Sequence, residues 1–174
     1  MSVGDVAVRL ADYGNASDAQ AVVRLLDAYA QDPAGGGEAL SEAVKAALVP
    51  ELARRPQAFS VLAFDGDQAV GLVNCIEGFS TFKCKPLVNI HDVSVLASHR
   101  GRRIAERMFA VVEQEAQRRG AVKLTLEVLS GNEAAHKAYR RMGFEGYQLD
   151  PAMARPSSCR SGSEASALTF QYSR

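Results

Sequence analysis

The chain has 174 residues, 47% of them apolar and 23% charged, a globular balance that excludes a disordered or fibrous chain and is long enough for one domain to bury its own core. Its 20 Lys and Arg offset its 20 Asp and Glu, which argues against a nucleic-acid binder working by bulk charge. Three cysteines (Cys75, Cys84 and Cys159) cannot all pair, and neither a long apolar run nor a basic-then-apolar N-terminus is present, so a cytoplasmic protein without a membrane segment is expected.

Val6 to Leu10 alternates as a short strand. Asn15 to Asp18 supplies cap residues for a helix over Ala19–Ala30, with Val22, Leu25, Leu26 and Tyr29 at helical spacing, and Pro33 and Gly35 to Gly37 break it. A second helix is predicted over Glu38–Arg54, with Leu40, Val44, Leu48 and Leu52 on one face and Pro50 inside it. The period then drops to two. Phe59–Phe64 and Ala69–Glu77 read as strands joined by the tight turn Asp65-Gly66-Asp67, Gly78–Pro86 as a loop or hairpin end, and Leu87–Leu96 as a central strand. Arg100–Arg119 is the clearest helix, with Ile104, Met108, Val112 and Ala116 on one stripe and Gly120 as its stop. Val122–Val128 alternates, Asn132 caps a short helix that Gly143 closes, Phe144–Leu149 is a strand, Asp150–Ser166 a loop, and Ala167–Tyr172 a closing strand. The order is that of one α/β domain over residues 1–174, a mixed sheet carrying helices.

The chemistry concentrates where Leu87–Leu96 runs into His99-Arg100-Gly101-Arg102-Arg103-Ile104-Ala105. The first N–H groups of a helix lack partners and its dipole favours negative charge there, so this junction is a seat for an anion. Gly101 permits close backbone approach, and the arginines add fork-shaped donors that oppose the dipole unless an anion compensates. The competing reading is a solvated basic helix start. Neither a dinucleotide Gly-x-Gly-x-x-Gly nor a P-loop motif occurs.

Arg100-Gly101-Arg102-Arg103-Ile104-Ala105 resembles the pyrophosphate loop Arg/Gln-x-x-Gly-x-Gly/Ala of the GNAT superfamily of acyl-CoA-dependent N-acyltransferases, matching at Arg100 and Ala105 and departing at Arg103, where the family has glycine. The strand Leu124-Thr125-Leu126-Glu127-Val128-Leu129, then Asn132, Ala135, Tyr139 and Met142-Gly143-Phe144-Glu145, is similar to the family's second half, so the resemblance covers roughly residues 60 to 149. It implies a mostly antiparallel central sheet with about four helices, splayed between its fourth and fifth strands, with acetyl-CoA in the opening as co-substrate and no metal. Backbone groups of Val93, Ser94 and Val95 would pair with the pantetheine, Arg100 to Ala105 (Gly101, Arg102, Arg103 and Ile104 included) would hold the pyrophosphate, and Asn132 and Ala135 would line the other side.

The resemblance assigns Tyr139 as the acid that protonates the departing thiolate; the alternative is a packing role on its short amphipathic helix. An amine arrives mainly as its ammonium and must lose a proton before attack. Strict alternation puts His91 on the side of Val93 and Val95, and the resemblance, in which a Glu or His four residues before the last apolar strand residue relays that proton, makes it first choice; the alternative is a hydrogen-bonded strand histidine. Asp92, whose other reading is a cap or a partner of an arginine, is second because a strand bulge here would swap the sides. His99 and His136 read as surface residues, Cys75 as core, and the Cys and His spacings hold no metal pattern. Asp27, Tyr29, Asp32, Glu77, Phe79 and Phe82 are placed at the acceptor end, where carboxylates and rings suit a cationic amine. The expected activity is transfer of acetyl from acetyl-CoA to a primary amine of a small molecule. A peptide or protein acetyltransferase and a non-catalytic acyl-CoA-binding module stay open, nucleic acid and membrane are not expected partners, and a homodimer is implied by the resemblance alone.

Overall fold

The computed structural model describes residues 6–129, 131–147 and 167–173. Cys159 and the expected loop over Asp150–Ser166 lie outside them. Seven strands form one sheet in the order β1-β2-β3-β4-β5-β7-β6: β1 (Ala7–Leu10), β2 (Ala58–Asp65), β3 (Gln68–Ser80), β4 (Lys85–Val95), β5 (Lys123–Leu129), β6 (Glu145–Tyr147) and β7 (Ala167–Ser173). Every neighbouring pair is antiparallel except β4–β5.

β2 and the first half of β3 are buried on both faces, because helices cover both. On one side α3 (Ile104–Arg118) lays Ile104, Met108 and Val112 against Val61, Val73, Ile90 and Leu126, with Tyr139 of α4 (Glu133–Arg141) packed against the same core. On the other, Val22 and Leu25 of α1 (Ala16–Gln31) and Val49 of α2 (Glu42–Ala53) cover Leu62 and Leu72. Gly71 sets how closely α3 can approach: a Cβ there would lie 3.0 Å from the Met108 sulfur and 3.2 Å from Ala63 Cβ.

Three element boundaries differ from the sequence reading, each for a local reason. α2 begins after Ser41, whose hydroxyl accepts from Val44 N–H, so Glu38 and Leu40 precede the helix and Val44 is exposed while Val49 is the buried contact. Pro50 is accommodated inside α2. Of the loop or hairpin end expected over Gly78–Pro86, the hairpin end is what forms, and β3 runs on to Ser80 because Gly78, Phe79 and Ser80 pair with Leu87, Pro86 and Lys85. α3 starts at Ile104 rather than Arg100, because Gly101 and Arg103 both take positive φ, +78° and +56°, and a helix cannot run through them.

The C-terminal end of α3 is clamped by Glu115, a buried carboxylate the sequence pattern did not single out. Arg118 gives it two hydrogen bonds of 2.7 Å and Arg119 a third of 2.7 Å. The hydrogen bonds from Arg118, followed by those from Arg119, hold Glu115 down to about 2 against the cost of burial. A carboxyl lowered by folding contributes stability that is full above its unfolded value, near 4.3, and is lost as pH falls toward its folded one. Glu115→Gln is therefore expected to cost on the order of 1–3 kcal/mol at neutral pH and to flatten the loss of stability on acidification below about pH 4. Denaturant titrations of both proteins across that range check it; parallel acid profiles would show that Glu115 carries no such contribution.

Candidate active site

The site begins where two strands part. β4 and β5 pair only at Val88–Leu124, Asn89–Thr125 and Ile90–Leu126, and beyond Ile90 they are no longer joined. At that point β4 carries a bulge: Asn74 of β3 pairs with Asp92 and Cys75 with Ile90, so His91 is the extra residue. The expected splay between the fourth and fifth strands is thus present.

The bulge reverses the alternation. Val88 and Ile90 lie in the α3-side core, and after the bulge it is Val93 and Val95 that pack against it. Asp92 is turned to the α1 side, where its carboxylate accepts 3.0 Å from the Asn74 amide. His91 is exposed. Its expected place on the side of Val93 and Val95 rested on strict alternation, and the extra residue breaks that count.

Two tyrosines from helices on opposite faces of the sheet are near enough for one to bear on the ionisation of the other. Tyr29 comes from α1; burial first, then the charges of Asp92 and Asp32, disfavour its ionisation. Tyr139 comes from α4, stacked on Phe109 with ring centroids 5.7 Å apart and tilted on Phe144 at 6.1 Å. Burial, with a smaller effect from Tyr29, pushes its phenol up to about 12. Among the described residues nothing hydrogen-bonds its hydroxyl. The phenol is therefore a neutral donor at every physiological pH. It starts further above the free thiol value of about 8.5 than an exposed tyrosine would.

The loop before α3 can offer an anion its backbone more than its side chains. The first N–H in α3 with a helical-type partner is that of Arg107, which donates to Arg103 O at 3.3 Å. Among the described residues the N–H groups of Ile104, Ala105 and Glu106 in the first turn have no partner. The side chains are largely committed elsewhere. Arg100 donates to Val95 O at 3.1 Å and to Asp32 at 2.9 Å. Arg102 donates to Asp65 at 2.9 Å, and His99 approaches the same carboxylate at 3.3 Å. Arg103 is 82% exposed, 4.0 Å from Glu106. Its left-handed backbone explains the family glycine at this position, and the expectation of a helical Arg103 is corrected. Ile104 is buried beneath the loop, and Ser94 is buried in β4. Asn132 spends its side-chain oxygen on capping α4, accepting from Ala135 N–H at 3.2 Å.

The remaining expected residues do not converge on the opening. Asp27 faces α2, where it accepts from Leu40 N–H at 2.8 Å and pairs with Lys45 at 3.2 Å. Glu77 pairs with Arg119 at 2.9 Å near the far end of α3. Phe79 and Phe82 stand out on the β3–β4 hairpin, largely and almost wholly exposed. His136 is buried against Phe170, not a surface residue, and His99 is largely covered. Asn74 and Ser60 were not legible as site residues, since polar residues in alternating strands carry no sign of what they face. Among the described residues no cluster fit to hold a metal occurs, and no helix is long and apolar enough to cross a membrane.

Residues 22–144 match the Acetyltransferase (GNAT) family, and the chain belongs to it. A curated relative, the streptothricin acetyltransferase of Streptomyces lavendulae, is 36% identical over 88 residues, 49% of this chain and 47% of that one, so the chain spans about half the length of the relative it matches. Among solved structures, a nourseothricin acetyltransferase superposes with a TM-score of 0.53 at 28% identity, covering 68% of this chain and 66% of that one. A GNAT-family acetyltransferase from Streptococcus pneumoniae superposes with a TM-score of 0.70 at 17% identity, covering 98% and 100%.

Arg103 separates strain from binding. A non-glycine residue held left-handed costs about 1–2 kcal/mol, part of which glycine returns through its looser unfolded chain, so Arg103→Gly is expected to stabilise the fold by roughly 0.5–1 kcal/mol. The same variant is expected to weaken acetyl-CoA binding by about 1 kcal/mol at low salt, and by less at high salt. Calorimetry at two ionic strengths beside a thermal melt checks both; tighter binding by the glycine variant would show that the side chain does not contact the ligand.

Proposed function

We propose that the protein transfers an acetyl group from acetyl-CoA to a primary amine of a cationic small molecule, by direct attack within a ternary complex. One observation carries this reading: beyond Ile90 the sheet opens, and the bulge there turns Asp92 out of the α3-side core toward α1, whose Tyr29 interacts electrostatically with both Asp92 and Tyr139. The residues fit the co-substrate. The partnerless first turn of α3 suits a pyrophosphate, and the parted strand edges suit an extended amide arm. Acetyl-CoA supplies a thioester whose carbonyl carbon accepts the amine and whose sulfur departs.

The chain's own groups do the rest. Asp92 takes a proton from the ammonium, freeing the nitrogen lone pair; His91, exposed at the bulge, is the alternative acceptor. As the new N–C bond forms and the C–S bond breaks, Tyr139 gives its phenolic proton to sulfur, the attacking nitrogen releases its second proton to solvent as the neutral amide forms, Asp92 sheds its proton to solvent, and Tyr139 is reprotonated from it. A backbone N–H near Val95 stabilises the developing oxyanion. Tyr29 and the Asp92 carboxylate give the acceptor end an aromatic and acidic character that suits a cation. The likeness to streptothricin and nourseothricin acetyltransferases supports an acceptor of that cationic, amine-bearing kind.

Thiol release from acetyl-CoA is the direct test, using a panel of streptothricin, diamines, amino acids and a peptide with a free N-terminus. Fastest release with streptothricin or a diamine is expected. Preference for the peptide would overturn the acceptor class, and no release with any amine would overturn catalysis. Tyr139→Phe keeps the ring packing and is expected to lower kcat about tenfold or more with little change in acetyl-CoA affinity. The drop should be the same across the neutral and mildly alkaline range, because a phenol at about 12 stays protonated throughout it. Unchanged kcat in a variant shown to be limited by chemistry would remove Tyr139 from the mechanism.

A further inference from the structure

We infer that Asn74 is a positioning residue that aims the Asp92 carboxylate at the acceptor, and that Ser60 and Tyr13 lock Asn74 in the orientation this requires. The inference rests on the reading of Asp92 as the proton acceptor. A file of four side chains crosses the α1 side of the sheet: Tyr13 Oη lies 2.7 Å from Ser60 Oγ, Ser60 donates to Asn74 Oδ1 at 2.6 Å, and Asn74 Nδ2 donates to Asp92 Oδ2 at 3.0 Å.

The direction of every bond follows from its last member. A carboxylate only accepts, so Asn74 must present its NH2 to Asp92 and its carbonyl oxygen to Ser60. Ser60 spends its one hydrogen on that oxygen, so Tyr13 must be the donor to Ser60. All the donors point toward Asp92. If the Asn74 amide flipped, its oxygen would face the carboxylate, acceptor against acceptor, so the carboxylate sets the direction of the amide while Ser60 and Tyr13 hold it in place against Oδ2. The other oxygen, Oδ1, is left to receive the proton.

This file has no packing purpose. Ser60 is 1% exposed and Asn74 6%, beside a core of Leu25, Leu62 and Leu72. Buried polar pairs in such surroundings contribute little net stability compared with apolar residues of the same shape. What the pair achieves is orientation. The bulge at His91 turns Asp92 toward the α1 face, and pairing across β3 brings Asn74 opposite it.

The test is a cycle in the full chain with acetyl-CoA and the fastest amine of the panel. Asn74→Leu is expected to lower kcat about tenfold or more, and Ser60→Ala, which removes only the hydroxyl, several-fold. Acetyl-CoA affinity and its KM should be unchanged and the melting temperature retained. In an Asp92→Ala background neither substitution should lower kcat further, because the group they aim is gone. Losses that add to that of Asp92→Ala, or full kcat in both single variants, would overturn the inference. If Asn74→Leu does not fold, Ser60→Ala decides by the same criteria. Full activity of Asp92→Ala would overturn the reading of Asp92 itself, an outcome distinct from failure of Asn74 alone.

Discussion

One inserted residue organises this molecule. With His91 as an extra residue in β4, the parallel ladder to β5 stops after Ile90, and the side chains that follow exchange faces. A regular strand would have continued the ladder, closed the sheet and sent Asp92 into the apolar core beneath α3. The bulge instead leaves a strand edge without a partner in the middle of a seven-stranded sheet, a place where backbone groups are normally paired. That edge is what a linear amide-bearing ligand can fill. The gap also lets Tyr29 and Tyr139, from helices on opposite faces, act on each other.

The loop before α3 works on a related principle. Its arginines are mostly spent on holding the loop: Arg100 ties it to Val95 and Asp32, and Arg102 to Asp65. Two left-handed residues, Gly101 and Arg103, turn the chain so that α3 begins with its N–H groups outward. The charge density of the sequence here reflects bracing of a backbone site more than a ring of phosphate ligands. The strain at Arg103 is held in place by the buried Ile104 that follows it.

Much of this was legible in the residues. The alternation of Val122–Val128 gave β5 and the stripe of Ile104, Met108, Val112 and Ala116 gave α3, because burial on one face leaves a period in the sequence. Asn132 and Gly143 announced the ends of α4 for reasons of capping. What periodicity cannot carry is a break in itself: a bulge adds one residue without any compositional mark, so the side taken by His91 and Asp92 was open until β3 and β4 were paired. Carboxylates posed the same difficulty. Asp27 and Glu77 look alike to Tyr29's neighbours in sequence, yet Lys45 and Arg119, distant in the chain, neutralise them away from the opening.

The contact between Gly71 and Met108 has a consequence for how such a site changes over time. The axis of α3 rests on the sheet at a point with no side chain of its own, where a single added methyl would meet the Met108 thioether at 3.0 Å. Met is the most deformable of the apolar side chains, so the helix is seated on a hard stop below and a compliant pad above. Met108 lies one turn into α3, so small exchanges at that seat are felt first at the start of the helix. The spacing between the loop before α3 and the strand opening is thereby adjustable from inside the core.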